Sequence, residues 1–189
     1  MEMPVPKNPQ DEARALAAVQ SHHAGMLRRL EALTAALTHA VKAHDAVAEH
    51  DAHEVLVEWC ETELVPHALA EEGPLYSGPG TTTEGRLLVA GMLAEHEAIV
   101  GLVERLRGSE GVDAAVAAGA IGAIFALHLE KENQLLMPFI VESPDFSLAG
   151  SVAGLQELVG EAHIHNADSD ADTHEAGHDS RPAAPPVNG

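Results

Sequence analysis

Two copies of one pattern, sixty-one residues apart, constrain this chain more than any other feature: His67-Ala-Leu-Ala-Glu71 and His128-Leu-Glu-Lys-Glu132. Each sets a histidine and a glutamate at i and i+4 within a stretch of helical periodicity. On a helix those positions stand one above the other on the same face. An imidazole nitrogen and a carboxylate are thereby aimed at one point. A helix carrying such a pair on its apolar face cannot bury it against aliphatic neighbours alone, because an unpaired buried glutamate costs several kcal/mol.

The rest of the chain supplies two more histidines at matching places. A first helix is predicted from Asp11 to about Ala43, with Leu16, Val19, Met26, Leu30, Leu33 and Leu37 in a heptad seam whose vacant position is taken by His23. A second starts at Asp51, with Asp51 and Glu54 as a capping pair, and carries His67 and Glu71. Pro66 should kink it and Gly73-Pro74 should end it. A third starts near Thr83, with Val89, Met92, His96, Ile99, Val103 and Leu106 on its seam. A fourth runs from Asp113 to about Val141, with Ile121, Ile124, His128 and Leu135 on one face and a bend at Pro138. A short fifth helix is predicted over residues 147–159. From residue 161 the chain is His/Asp-rich without periodicity and is read as a disordered tail.

The domain plan is therefore a flexible arm at residues 1–10, a four-helix bundle with its fifth helix at 11–160, and the tail at 161–189. The halves of the bundle repeat. His23 aligns with His96, which sets Met26 on Ile99 and Leu30 on Val103; His67 aligns with His128, which sets Glu71 on Glu132 and Leu75 on Leu136. Duplicated helical hairpins give an all-α, antiparallel four-helix bundle, and such bundles hold metals at their centre with side chains from facing helices.

Composition supports helices and excludes several partners. Aromatic residues are only 3% of the chain, so its core must be aliphatic and rich in alanine. The formal net charge of -20 opposes nucleic acid and anionic membrane surfaces and favours cations. One cysteine, Cys60, leaves no internal disulfide, which fits a reducing cytoplasm. The opening residues lack the basic and apolar regions of a signal peptide. No uninterrupted run of eighteen apolar residues is present. The nearest approach, Val112 to Leu129, is glycine-rich and carries Asp113 and His128, so no membrane-spanning helix is expected.

Six side chains, His23, His67, Glu71, His96, His128 and Glu132, exceed what one zinc ion needs and suit two metals of the iron or manganese kind, with carboxylates as bridges and imidazoles as terminal donors. The order His, His-xxx-Glu, His, His-xxx-Glu, with the segments Pro66 to Tyr76 and His128 to Pro138, resembles the hemerythrin-like, or HHE cation-binding, family. The likeness covers about residues 13 to 141. It implies a four-helix bundle with two iron ions, oxo- or hydroxo-bridged, ahead of manganese or zinc. It also implies small ligands: dioxygen, peroxide or nitric oxide.

Two departures separate the chain from the oxygen carriers of that family. Val100 stands where they have a further histidine, and His-xxx-Glu replaces their final His-xxxx-Asp. The expectation is a more symmetric site with an open position on each metal. Such a site suits a cytoplasmic, catalase- or peroxidase-like oxidoreductase that consumes peroxide. A non-catalytic binder or sensor of dioxygen, nitric oxide or iron is the competing reading.

Other polar residues have plainer readings. His22 competes with His23, but lies beside the seam. His39, His44, His50 and His53 read as solvent or loop residues, and Glu72 and Glu130 as solvated. Cys60, Trp59 and Phe125 read as packing residues. Tyr76 reads as packing at a helix end, with a donor role near the metals as the sharper alternative. His163, His165, His174 and His178 read as part of a solubilising tail.

Overall fold

The protein is represented by a computed structural model, which describes residues 7–153. Four long helices form the bundle, and no strand occurs among the described residues. Helix α1 is Pro9–Ala43. Helix α2 is a continuous rod over residues 46–76, built from Ala46–Trp59, a wide π turn Cys60–Leu64, Val65–Glu71 and a second π turn Glu72–Tyr76. After a 3-10 turn at Pro79–Thr81, α3 spans Arg86–Arg107. Helix α4 is Gly111–Glu142, with a π turn at Glu132–Leu136. Helix α1 packs against α2 and α4, and α3 packs against α4 and α2, which closes the ring.

The helix starts differ from the sequence reading for local reasons. Asn8 caps α1, its Oδ1 accepting from Gln10 N at 3.0 Å, with Pro9 pre-shaped for the first turn. Lys7 Nζ donates to the carbonyls of Ile140 and Val141 at 2.7 and 3.0 Å, so the last turn of α4 holds the start of α1. The arm expected over residues 1–10 is thus helix from Pro9, and residues 1–6 lie outside the described part. Asp45, not Asp51, caps α2 by accepting from Ala48 N at 3.1 Å. His44 turns the chain in the left-handed region at φ 54°, and its N–H satisfies carbonyls of the last turn of α1.

Gly73-Pro74 does not end α2; both lie inside a π turn that carries the helix on to Tyr76. Pro66 and Pro138 each follow a π turn by two residues. A wide turn accommodates a proline ring that would otherwise press on the carbonyl four residues back. The turn also shifts register. Through this stretch of α4, Phe125, His128, Leu129, Glu132, Leu136, Met137 and Ile140 are buried, while Leu135, expected on the seam, is 53% exposed. Gly85 begins α3 only because it lacks a side chain: a Cβ there would sit 2.5 Å from the Pro79 carbonyl oxygen.

Two aliphatic layers fill the bundle. Met26, Leu30, Leu64, Ile99 and Phe125 belong to one; Val19, Leu75, Met92, Leu136 and Ile140 belong to the other. Leu148 joins the second layer from a helical segment at residues 148–153, whose first turn is capped by Glu12: its carboxylate accepts from Ser147 Oγ at 2.5 Å and Leu148 N at 2.8 Å. The rest of the predicted fifth helix and the tail lie outside the described residues.

Helix α4 is more apolar than the sequence reading allowed. An eighteen-residue window within it has a mean hydropathy of 1.8, enough in length and composition to cross a membrane. That window is 39% buried, with Ala114, Ala117, Ala118, Ile121 and Phe125 facing the bundle, and the same helix buries His128 and Glu132.

Candidate metal centre

The layer between the two aliphatic clusters is polar. On α1, His23 falls between Val19 and Met26; on α3, His96 falls between Met92 and Ile99. His67 and Glu71 come from α2 between Leu64 and Leu75, and His128 and Glu132 come from α4 between Phe125 and Leu136. All six sequence-predicted side chains therefore meet in one layer. Five of these residues are at most 2% exposed, and the side chain of His67 is 9% exposed.

Their donor atoms converge. His23 Nε2 and His67 Nε2 each lie 3.3 Å from Glu71 Oε1. His96 Nε2 lies 3.1 Å from His128 Nε2. Glu132 spans the layer, with Oε2 3.6 Å from His23 Nε2 and Oε1 3.6 Å from His128 Nε2. Two sets of three, His23/His67/Glu71 and Glu71/His96/His128, each bring one ligand atom per residue within 4.8 Å of the others. Glu71 belongs to both sets, so both glutamates touch both halves.

The outward ring nitrogens explain the tautomers. Glu72 Oε1 faces His96 Nδ1 at 3.0 Å, Glu95 Oε2 faces His128 Nδ1 at 3.1 Å, and Asn133 Oδ1 faces His23 Nδ1 at 3.2 Å. An ionised carboxylate only accepts, so His96 and His128 carry their protons on Nδ1. Their Nε2 lone pairs then face each other at 3.1 Å. That arrangement is repulsive by itself and is relieved by a cation between the nitrogens. His67 Nε2, Glu71 Oε2 and Glu132 Oε2 are also buried without a hydrogen-bond partner. Orphaned, convergent nitrogen and carboxylate donors fit a metal centre.

The electrostatics agree. Burial, the largest effect, holds the imidazoles of His23 and His96 below their usual value and pushes His67 down to about 3. Neutral imidazole is the form that ligates. Burial and then the neighbouring Glu132 raise Glu71 well above the usual carboxylate range. Burial would also raise Glu132, but His128, His23 and Tyr76 outweigh it and hold that carboxyl below its usual value.

Several expectations change. Tyr76 is 1% exposed and reaches the cluster: its hydroxyl donates to Glu132 Oε1 at 2.5 Å and lies 3.2 Å from His128 Nε2 and 3.4 Å from His96 Nε2. The π turn Glu72–Tyr76 extends α2 far enough to turn Tyr76 inward. Glu72, read as solvated, is instead the acceptor for His96. Glu95 and Asn133 were invisible as ring acceptors because nothing in their spacing marks them. Their side chains reach histidines on other helices. The site is also less symmetric than expected, since the Tyr76 hydroxyl lies on the His96–His128 side. Val100 is 37% exposed, so α3 does not present that position to the layer.

His22 is exposed and outside the cluster, its ring 5.1 Å from that of His67. Cys60 is buried in the core, and burial pushes its thiol up to about 12. His53 Nε2 pairs with the Leu106 carbonyl at 2.7 Å, and His39, His44 and His50 are exposed. The four tail histidines lie outside the described residues.

A four-helix bundle whose central layer gathers four imidazoles and two shared carboxylates is the architecture of a metal-binding bundle. A family model described as the hemerythrin HHE cation binding domain matches residues 14–147. The chain belongs to that family. No curated protein and no solved structure gives a significant match.

Proposed function

We infer that the protein is a non-haem diiron protein that consumes peroxide or a closely related small oxidant. The observation that carries this reading is the composition of the buried layer. Four imidazole nitrogens and two carboxylates, each carboxylate reaching both halves, exceed the needs of a single zinc ion and match a pair of redox-active ions. Two metals in such sites usually stand about 3.5–4 Å apart. His23, His67, His96 and His128 would be the terminal donors, and Glu71 and Glu132 the bridges.

Two irons, when bound, would pass two electrons to one peroxide, splitting its oxygen–oxygen bond, and take two back from a second, whose bond stays intact. Two hydrogen peroxide molecules give two waters and one dioxygen, so protons must move within the site. Tyr76 holds one, shared with Glu132 Oε1 at 2.5 Å. A proton held there can pass to the leaving oxygen of a split peroxide, which supports the consuming reading. Glu72, Glu95 and Asn133 orient three of the rings, and the aliphatic layers above and below keep bulk water out. The net charge of -20 supports small oxidants as partners rather than nucleic acid or anionic membranes.

The test is reconstitution of the full chain with ferrous iron, followed by metal analysis and peroxide assay. Two irons per chain and sustained peroxide turnover, both lost in Glu71→Ala, are expected. Protein that holds two irons, leaves peroxide untouched and changes colour reversibly with dioxygen or nitric oxide would overturn the reading in favour of a binder.

A further inference from the structure

The duplication lets the two halves of the centre be compared position by position. Aligning His67 with His128 also pairs Glu72 with Asn133, and aligning His23 with His96 also pairs His22 with Glu95. The first pair keeps its role across the pseudo-twofold. Glu72, on α2, accepts from Nδ1 of His96 in the second half, at 3.0 Å; Asn133, on α4, accepts from Nδ1 of His23 in the first half, at 3.2 Å. The chemistry is not kept, because one acceptor is a carboxylate and the other an amide.

The second pair differs further. Glu95 accepts from Nδ1 of His128 at 3.1 Å, and its other oxygen is pinned by Lys131, whose counterpart in the first half is Ala70. His22 occupies the place of Glu95 beside His67, the two rings meeting edge to face with centres 5.1 Å apart. A third difference points the same way. Tyr76 brings an oxygen to within 3.4 Å of both second-half Nε2 atoms, whereas its counterpart Met137 is buried in the aliphatic layer.

We propose that Glu72 and Glu95 make the His96–His128 half a tighter metal site than the His23–His67 half, so that the two metals load in order. This rests on the two-metal reading above. A carboxylate that accepts an imidazole N–H lends the ring negative character and strengthens its other nitrogen as a donor. An amide or a second imidazole does so less. Such supporting contacts typically change metal affinity by about 10–100-fold. Two carboxylates serve the second half and none serves the first. Lys131 offsets part of the charge of Glu95 while fixing its direction. Glu72, Glu95, Asn133 and His22 are positioning residues, acting on the metals through the rings they touch.

Cobalt(II) titrated into the metal-free full-length protein, followed by its visible absorption and by calorimetry, reads each binding step without any catalytic assay. Two steps of one equivalent each, at least about tenfold apart in Kd, are expected. Glu72→Gln and Glu95→Gln should each weaken the tighter step by about 10–100-fold and leave the weaker one in place. His22→Glu installs the missing carboxylate and should tighten the weaker step. His22 is exposed, so this gain tests the proposal even where the glutamine variants fold poorly. Two ions bound with equal affinity, or a gap that none of the three variants alters, would overturn the ordering and leave the two-metal reading standing. Uptake of one cobalt or none would overturn the two-metal reading and the ordering with it.

Discussion

Glu71 is 1% exposed and sits within reach of a second buried carboxylate, Glu132, so in the metal-free protein it resists ionisation. Its raised value means that the stability it contributes is fully present below about pH 4.5 and is lost as the pH rises through its folded value. His67 has the opposite sign. Burial pushes it down to about 3, so its contribution is present above pH 6.5 and is lost as the pH falls toward 3. His23 and His96 shift in the same direction. Glu71→Gln keeps the shape and removes the ionisation. In metal-free protein the variant should melt at a higher temperature than wild type at pH 7, and the difference should vanish by pH 4.5. Thermal denaturation across that range checks it; an unchanged or lowered Tm at pH 7 would show that Glu71 is not strained there. The same variant should fail to retain two metals, because an amide has lost the anionic bridge. The side chain is thus held in an unfavourable state that metal binding relieves, the usual mark of a functional residue.

The helices that carry the ligand pairs depend on wide turns. In an α-helix every fourth residue overshoots a full turn by about 40°. The buried positions Leu56, Cys60, Leu64 and Ala68 on α2, and His128, Glu132, Leu136 and Ile140 on α4, run in steps of four. The π turns Cys60–Leu64 and Glu132–Leu136 absorb the drift and keep these positions facing inward. A π turn carries one residue more than an α turn through about the same rotation, so removing one residue should convert it to ordinary helix and leave everything beyond it in register. Thr62 is exposed and lies within the first turn. Deleting it should leave both the helical circular dichroism and the metal retention nearly intact, because His67 and Glu71 keep facing inward. Loss of either ion would show that the turn does not absorb the extra residue. These turns also mark the limit of what the sequence could show. Periodicity was enough to place His23 and His96 on the seams of straight helices, and the i+4 pairs were visible as motifs. A π turn has no composition of its own, so periodicity alone sets Leu135 inward and Tyr76 at a helix end. Cross-helix contacts such as Glu95 to His128 depend on packing that no spacing encodes.

At the scale of the whole bundle, the central polar layer interrupts what would otherwise be one aliphatic core. Without a cation the layer buries orphaned donors on His67, Glu71 and Glu132 and sets two imidazole lone pairs 3.1 Å apart. Each half of the duplicated bundle contributes both a seam histidine and a ligand pair, so closing the layer also ties all four helices together. A metal bound only by the folded state adds about 2.7 kcal/mol for each site when free metal stands at 100 times its Kd. In a chain of this length each kcal/mol is worth about 2–4 °C in Tm, so one filled site should raise Tm by roughly 5–10 °C. Chelation should therefore lower Tm in two stages if the sites empty in order, and by the combined amount at full removal. Scanning calorimetry of the full chain against increasing chelator, with metal analysis at each point, measures both stages. A Tm indifferent to metal content would mean that the layer is satisfied without cations, and the lone-pair argument for the centre would fail with it.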